Sequence, residues 1–310
     1  MEEAVMITIF EQVFVLVAFG GIGYALSKGG LVQSSHADLL SKLLVYVILP
    51  AAAFRTYAQN FTVAYISENY VLILASLGIL AALMVLTRVG LLVFCPKSPD
   101  RNVYEYSVNM PNFGYMGYPF VEALYGSVGL LSAMVFAIPM SLYVYTFGYT
   151  LLSGKRATLK NVFNPMMCAL LLGALCGITG LGAYIPTVAY TLLSNANACM
   201  GPISMLLAGI VLSDYKFGEL FRRPSVYIVS LIRILVIPFA VGGVLRLFGA
   251  NEILFSTAVS LYAMPCGLNT LVFVKNAGGD CRPGAALALV SNVLACASIP
   301  LVLYLFGVSI

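Results

Sequence analysis

Two short segments hold the residues whose types and spacing could do chemistry. One reads Ser107-Val108-Asn109-Met110-Pro111-Asn112-Phe113-Gly114-Tyr115-Met116-Gly117-Tyr118-Pro119-Phe120, the other Ala263-Met264-Pro265-Cys266-Gly267-Leu268-Asn269-Thr270. Each sets proline, glycine and a polar amide inside an otherwise apolar stretch. Proline removes a backbone donor and clashes with the preceding turn, so neither segment can be a straight helix. The carbonyls left unpaired cannot be satisfied by lipid, and both segments must be buried in protein or line an aqueous cavity. Breaking a helix also creates a new N-terminus, whose free N–H groups and positive dipole end favour an anion. Two such ends meeting at mid-membrane would make an anion site without a buried cation. Asn112 and Asn269 would supply directional hydrogen bonds to a carboxylate. The expected binding residues are Pro111, Asn112, Gly114 and Tyr115 in the first segment and Pro265, Cys266, Gly267, Asn269 and Thr270 in the second, with Pro50 and Arg233 completing the set.

The elements that must position these residues follow from composition. Of 310 residues 61% are hydrophobic and 9% charged, with a mean hydropathy of +0.98, which excludes a soluble fold. Each helical span needs about 20 apolar residues, so ten spans fit with short connections. Apolar runs fall near 5–27, 38–57, 68–94, 103–125, 128–153, 162–181, 186–213, 224–247, 252–275 and 283–307. The acidic start, Met1-Glu2-Glu3, leads into a run too long for a signal-peptide core and is read as a retained span. Seven cysteines show no CxxC pairing and behave as small hydrophobes. The basic residues Lys28, Lys42, Lys97, Arg101, Lys155, Arg156, Lys160, Lys216, Arg222, Arg223, Lys275 and Arg282 lie at alternate connections, against Arg55 and Arg246 on the other side. The positive-inside rule then puts both termini outside the cytoplasm of a multi-pass cytoplasmic-membrane protein.

Ten spans made of two fives require the second five to be inserted upside down. Leu49-Pro50 in the second span is echoed by Gly201-Pro202 in the seventh, and Met110-Pro111 in the fourth by Met264-Pro265 in the ninth, at offsets of 152 and 154. Matching interrupted spans in two halves mark an inverted-repeat transporter. The expected fold is therefore all-α and polytopic, with residues 1–153 as the first repeat, 154–161 as a connection and 162–310 as the inverted second repeat. The chain also resembles the auxin efflux carrier family, which includes plant auxin carriers and bacterial malate-permease-like proteins. The likeness rests on Ile48-Leu49-Pro50, Met110-Pro111-Asn112 with Gly117 and Pro119, Asn164-Pro165, Gly201-Pro202 followed by Leu206-Leu207-Ala208-Gly209, Met264-Pro265-Cys266-Gly267, Val272 to Lys275 and Ala285 to Pro300. It implies a scaffold bundle, a mobile bundle, and fourth and ninth helices that cross at their broken points and hold the substrate, Pro111-Asn112 against Pro265-Cys266-Gly267. Cys266 in place of the plant carriers' polar residue, and a central connection reduced to 154–161, favour the bacterial-type members.

Charge within spans is expensive enough to read as functional by default. Arg88 is expected to snorkel to the interface, and Arg233, about ten residues into its span, to meet substrate or carbonyls. Glu11 suits an interfacial or packing role, and His36 a solvated loop or helix cap. Lys275 and Asp280 could pair at the end of the ninth span. No acidic residue lies in either broken core; Glu122 and Asp280 are the nearest, both expected at the membrane edge. Tyr115 and Tyr118, within the break, stand apart from the other aromatic residues. There is no HExxH, no pair of mid-span aspartates and one loop histidine, so an enzyme is not expected, and neither catalytic nor metal-ligating residues are proposed. No cofactor is expected, and coupling to H⁺ or Na⁺ stays open. The leading reading is a secondary transporter of small organic anions, mono- or dicarboxylates such as malate or auxin-like acids, working by alternating access. The alternative is a transporter-fold sensor that binds without net transport. The partners are a small organic anion and the lipid bilayer, with a homodimer left open and no nucleic acid.

Overall fold

The computed structural model describes residues 2–95, 97–215, 218 and 223–308. Lys216 and Arg222, used above for orientation, and Met1, used for the retained first span, lie outside the described residues, as do the side chains of Glu2 and Glu3. Ten helical passes run through what is described. They are α1 (Glu2–Lys28), α2 (Ala37–Asn60), α3 (Val71–Phe94), α4, α5, α6 (Pro165–Thr179), α7 (Thr187–Leu212), α8 (Pro224–Leu247), α9 and α10 (Arg282–Leu305). The helix α4 is split into α4a (Arg101–Asn109) and α4b (113–125), and α9 into α9a (Glu252–Tyr262) and α9b (Asn269–Asn276). The chain passes from α4b to α5 (127–153) at Gly126, whose φ of 66° and ψ of −162° belong to a region that side chains exclude.

Spans 2, 4 and 8 share a local device. Each contains a π-turn, Leu44–Ile48, Phe113–Gly117 and Ile232–Val236, ending two residues before Pro50, Pro119 and Pro238 respectively. A proline in mid-helix removes one i→i−4 bond and crowds a carbonyl. One wider turn just ahead of it relieves both conflicts without ending the helix, and turns the following face. A fourth π-turn, Val144–Gly148 in α5, has no such proline after it.

The two halves interlock. Helix α1 packs most extensively on α7 and α6 on α2, so each half lends its first helix to the other half's second. Lipid tails are as apolar as leucine, and such pairs hold by close approach rather than by hydrophobic burial. A Cβ at Gly209 would lie 1.9 Å from the Gly20 carbonyl oxygen, and one at Gly177 would lie 2.5 Å from that of Phe61. The contact glycines Gly20 and Gly23 of α1 recur as Gly173 and Gly177 of α6, at offsets of 153 and 154 that match the proline pairs. Helices α1, α2, α6 and α7 form one bundle, and α3, α4, α5, α8, α9 and α10 the other. In the second bundle α10 is buried over most of its length, whereas α3 presents most of its surface outward.

The seam yields a contrast of sign. Gly209→Ala should destabilise the protein by about 1–3 kcal/mol through overpacking, although alanine is the better helix former. Gly243→Ala on α8, where a Cβ meets nothing within 4 Å, should be neutral or stabilising by up to about 1 kcal/mol. Thermal unfolding of both variants in detergent checks this, and equal shifts would contradict the close-contact account.

Candidate functional site

The two breaks meet. Pro111 faces Cys266 in a single antiparallel backbone pairing, and the Asn112 N–H donates to the Pro265 carbonyl at 2.8 Å. Gly267 lies against the other strand, where a Cβ would make ordinary contact with the Pro111 oxygen at 3.4 Å. Helices α4a and α9a therefore end at the crossing, and their last carbonyls have no partner within their own helices. Arg233 takes them. Its Nη1 donates to the Val108 oxygen at 3.1 Å, Nη2 to that of Tyr262 at 2.7 Å and Nε to that of Met264 at 3.3 Å. The side chain is 0% exposed and lies 5.4 Å from the Tyr262 ring centroid. Guanidinium presents several donors in a rigid planar fork, so one side chain closes two helix ends at once. Each of those ends carries about half a negative charge from its helix dipole, and together they are matched by one fixed cation.

The opposite ends, the N-termini of α4b and α9b, border a small cavity of about 60 Å³. Pro111, Asn112, Gly114, Tyr115, Gly267 and Asn269 line it, as does Tyr118. Asn112 is the central polar group. Its carbonyl accepts from the N–H groups of Met116 and Gly117 at 3.2 and 3.0 Å, starting α4b. Its side chain is 3% exposed, and Nδ2 has no hydrogen-bond partner. Asn269 differs, because its Nδ2 donates to the Tyr106 hydroxyl at 2.9 Å. The remaining expected residues lie behind the lining. The Pro265 carbonyl is engaged by Asn112, the Cys266 N–H donates to Ser291 Oγ at 3.0 Å, and the Thr270 hydroxyl donates to the Gly267 oxygen at 3.2 Å. Pro50 follows the lining residue Leu49, and Arg233 contacts carbonyls rather than the cavity.

Residues that the sequence did not single out also line the cavity. Ser141 and Tyr145 come from α5, four apart on one face, and Val45 from the π-turn of α2. Asn164, noted only as part of a motif, lines it while its Oδ1 caps α6 by accepting from the Met167 N–H at 3.0 Å. Proline together with glycine and an amide supplied the signal for α4 and α9; α5 carries Pro139 two residues before Ser141, but with neither glycine nor amide beside it. A vestibule of about 310 Å³ adjoins the site, sharing Tyr115 and Leu268 with it and reaching Asp38, Asp214 and Lys275 on the side of the basic connections. Ligand pockets begin near 300 Å³, so the vestibule has room for a ligand and the inner cavity holds only a few waters in this conformation.

Several charged groups have partners that the sequence did not name, while His36 sits at a helix start as expected. Asp280 pairs with Arg282, not Lys275, at 2.9 Å, and this hydrogen bond holds its carboxyl below the usual carboxylate range. Arg88 pairs with Glu105 of α4a at 2.7 Å instead of simply reaching for the interface. Glu122 accepts from Arg55 and Asn197. His36 precedes the first turn of α2, and its Nδ1 accepts from the Gln33 N–H at 3.3 Å.

A family model described as membrane transport protein matches the chain twice, over residues 8–161 and 150–303. The chain belongs to the auxin efflux carrier family. The double match falls on the two halves related by the proline and glycine offsets, as a duplicated transporter requires. The chain is similar to an uncharacterized transporter of Methanothermobacter thermautotrophicus, 26% identical over 305 residues that cover 94% of this chain and 96% of the relative. It is likewise similar to an uncharacterized transporter of Methanocaldococcus jannaschii, 26% identical over 279 residues covering 84% and 87%. In this member of the auxin efflux carrier family, the crossing depends on Arg233. Arg233→Met strands three buried carbonyls and should cost on the order of 3 kcal/mol or more, while Arg233→Lys, which keeps the charge but not the fork, should cost less. Wild-type unfolding temperature in Arg233→Met, measured in detergent, would contradict this role.

Proposed function

We propose that the chain is a secondary transporter of small organic anions that works by alternating access at the crossover of α4 and α9. The bundle of α1, α2, α6 and α7 is the scaffold and the other six helices move against it. The basic connections face the cytoplasm, which places both termini outside. The observation that carries this reading is the unpartnered, buried Asn112 amide nitrogen beside two half-helix N-termini. A donor without a partner in a low-dielectric site is costly, and a carboxylate would satisfy it. No acidic side chain lines the cavity among the described residues, so nothing opposes the anion.

The lining also supports a choice among acids. Phe113, Val144, Leu49 and the rings of Tyr115, Tyr118 and Tyr145 make most of the wall, Ser141, Asn164 and Asn269 add polar side chains, and among the described residues no Lys, Arg or His joins them. One carboxylate on a compact, largely apolar body, as in an auxin-like aryl acetate, suits this wall better than malate, whose second charge would find no cation in the lining. Arg233 bears on coupling. It occupies the break carbonyls that could otherwise coordinate Na⁺. With a fixed cation there, efflux needs no coupled ion, since each exported negative charge gains about 2.3 kcal/mol per 100 mV.

Counterflow of labelled indole-3-acetate and of labelled malate in proteoliposomes, with and without Na⁺ and a pH gradient, tests the reading. The aryl acid should exchange faster than malate and independently of Na⁺. Asn112→Ala should lower exchange about 10- to 100-fold, the value of a hydrogen bond to a charged group. Absence of counterflow for both acids in folded, reconstituted wild type would reject transport of these anions, and saturable binding without counterflow would favour a sensor.

A further inference from the structure

On the face opposite the vestibule, the two bundles are tied through a single carboxylate. Glu122 lies on α4b of the mobile bundle, and its partners lie on the scaffold. Arg55 of α2 donates to its Oε1 at 3.2 Å, and Asn197 of α7 donates through Nδ2 to Oε1 at 2.6 Å and Oε2 at 2.8 Å. The Arg55 and Glu122 side chains are 19% and 23% exposed, and Asn197 is 6% exposed with its Oδ1 unpartnered. These are charge-assisted bonds from one bundle to the other. At the level of the crossover, Ser204 of α7 adds a second tie by donating to the Tyr115 oxygen at 2.6 Å.

Beside the carboxylate is a cavity of about 240 Å³ between α1, α4b and α7, lined by Gln12, Pro119, Glu122, Ala123, Asn197 and Gly201. Arg55 and Asn197 thus hold Glu122 in the way a protein holds a bound carboxylate, with a cation on one oxygen and an amide spanning both. Removing either partner leaves a partly buried charge uncompensated, so the contact favours the conformation in which this face is shut. If α4b moves away from α2 and α7, the same donors are freed, Asn197 at the wall of the cavity and Arg55 behind it.

We propose that Arg55 and Asn197 form a carboxylate-binding pair on this face, filled here by the chain's own Glu122, so that the three side chains close the face and the pair passes to an incoming carboxylate when it opens. This rests on the alternating-access and organic-anion reading above. It assigns Arg55 a substrate-recruiting role and Glu122 the role of an internal stand-in for the substrate.

The test is labelling of Ala123→Cys by a membrane-impermeant maleimide from this face, with the native cysteines other than the buried Cys266 replaced. Glu122→Gln should raise the labelling rate severalfold, and the exchange Arg55→Glu with Glu122→Arg should bring it back toward the starting value. In the Glu122→Gln protein, indole-3-acetate or malate should slow labelling, and adding Arg55→Gln should abolish that protection. Unchanged labelling in Glu122→Gln, or protection that is the same without Arg55, overturns the proposal. If neither acid protects while counterflow is intact, this pair is not a substrate site although the transporter reading stands. If protection and counterflow are both missing, the organic-anion reading falls with it.

Discussion

Backbone groups stranded inside a membrane have no water to turn to, and in this protein two prolines strand them at one depth. Pro111 and Pro265 end α4a and α9a where lipid cannot satisfy the last carbonyls. The chain meets the demand by crossing the breaks, with Asn112 bonded to Pro265, and by bringing Arg233 into the gap. The guanidinium lies in the π-turn that precedes Pro238, so the widening that accommodates one proline also sits at the residue that serves two others. A buried cation without a carboxylate is ordinarily unfavourable. Here the two helix dipoles supply the opposing charge, and the half-helix N-termini are left facing a cavity with nothing acidic in its lining among the described residues.

The rest of the molecule frames that arrangement with two interlocked bundles. Glycine contacts between α1 and α7 and between α6 and α2 bring backbones close enough to resist shear. The six-helix bundle touches this frame through fewer polar ties, and they are unequal. On one face Glu122 is held by Arg55 and Asn197; on the other, a vestibule of about 310 Å³ runs from the basic connections to Tyr115 and Leu268. The inner cavity, about 60 Å³, is tight because Tyr115, Tyr118 and Tyr145 fill the space around Asn112. A rigid-body shift of the six helices, rather than side-chain rotation alone, is the motion that would enlarge it.

The two amides of the crossover show how a duplicated fold becomes an asymmetric site. Asn112 directly follows Pro111, whereas the offset between the halves puts Cys266 in the matching place and Asn269 stands four residues past Pro265; of the two amide nitrogens, only that of Asn269 is held by a neighbour. Tyr106 provides that tie, and its ring sits so close to Gly148 that a Cβ there would fall 2.7 Å from Cε2. The crossover therefore carries one restrained amide and one whose nitrogen has no partner.

The sequence by itself determined what local chemistry dictates. Apolar runs of membrane length, proline with glycine inside two of them, the near-constant offset between the halves and the one-sided basic connections were all legible. They sufficed for ten inverted spans and for six lining residues, because a break in a membrane helix is a backbone event written by the residue that causes it. Tertiary structure decided the partners. Arg233 lies 125 residues from Val108 and 29 from Tyr262, and Glu122 lies 67 from Arg55 and 75 from Asn197. No pattern along the chain pairs them, since a charge in a span looks the same whether it faces substrate, carbonyl or acid. Ser141 and Tyr145 were silent for a related reason: Pro139 in their helix has no glycine or amide beside it, and which face of α5 meets the crossover is set only when its neighbours are packed around it.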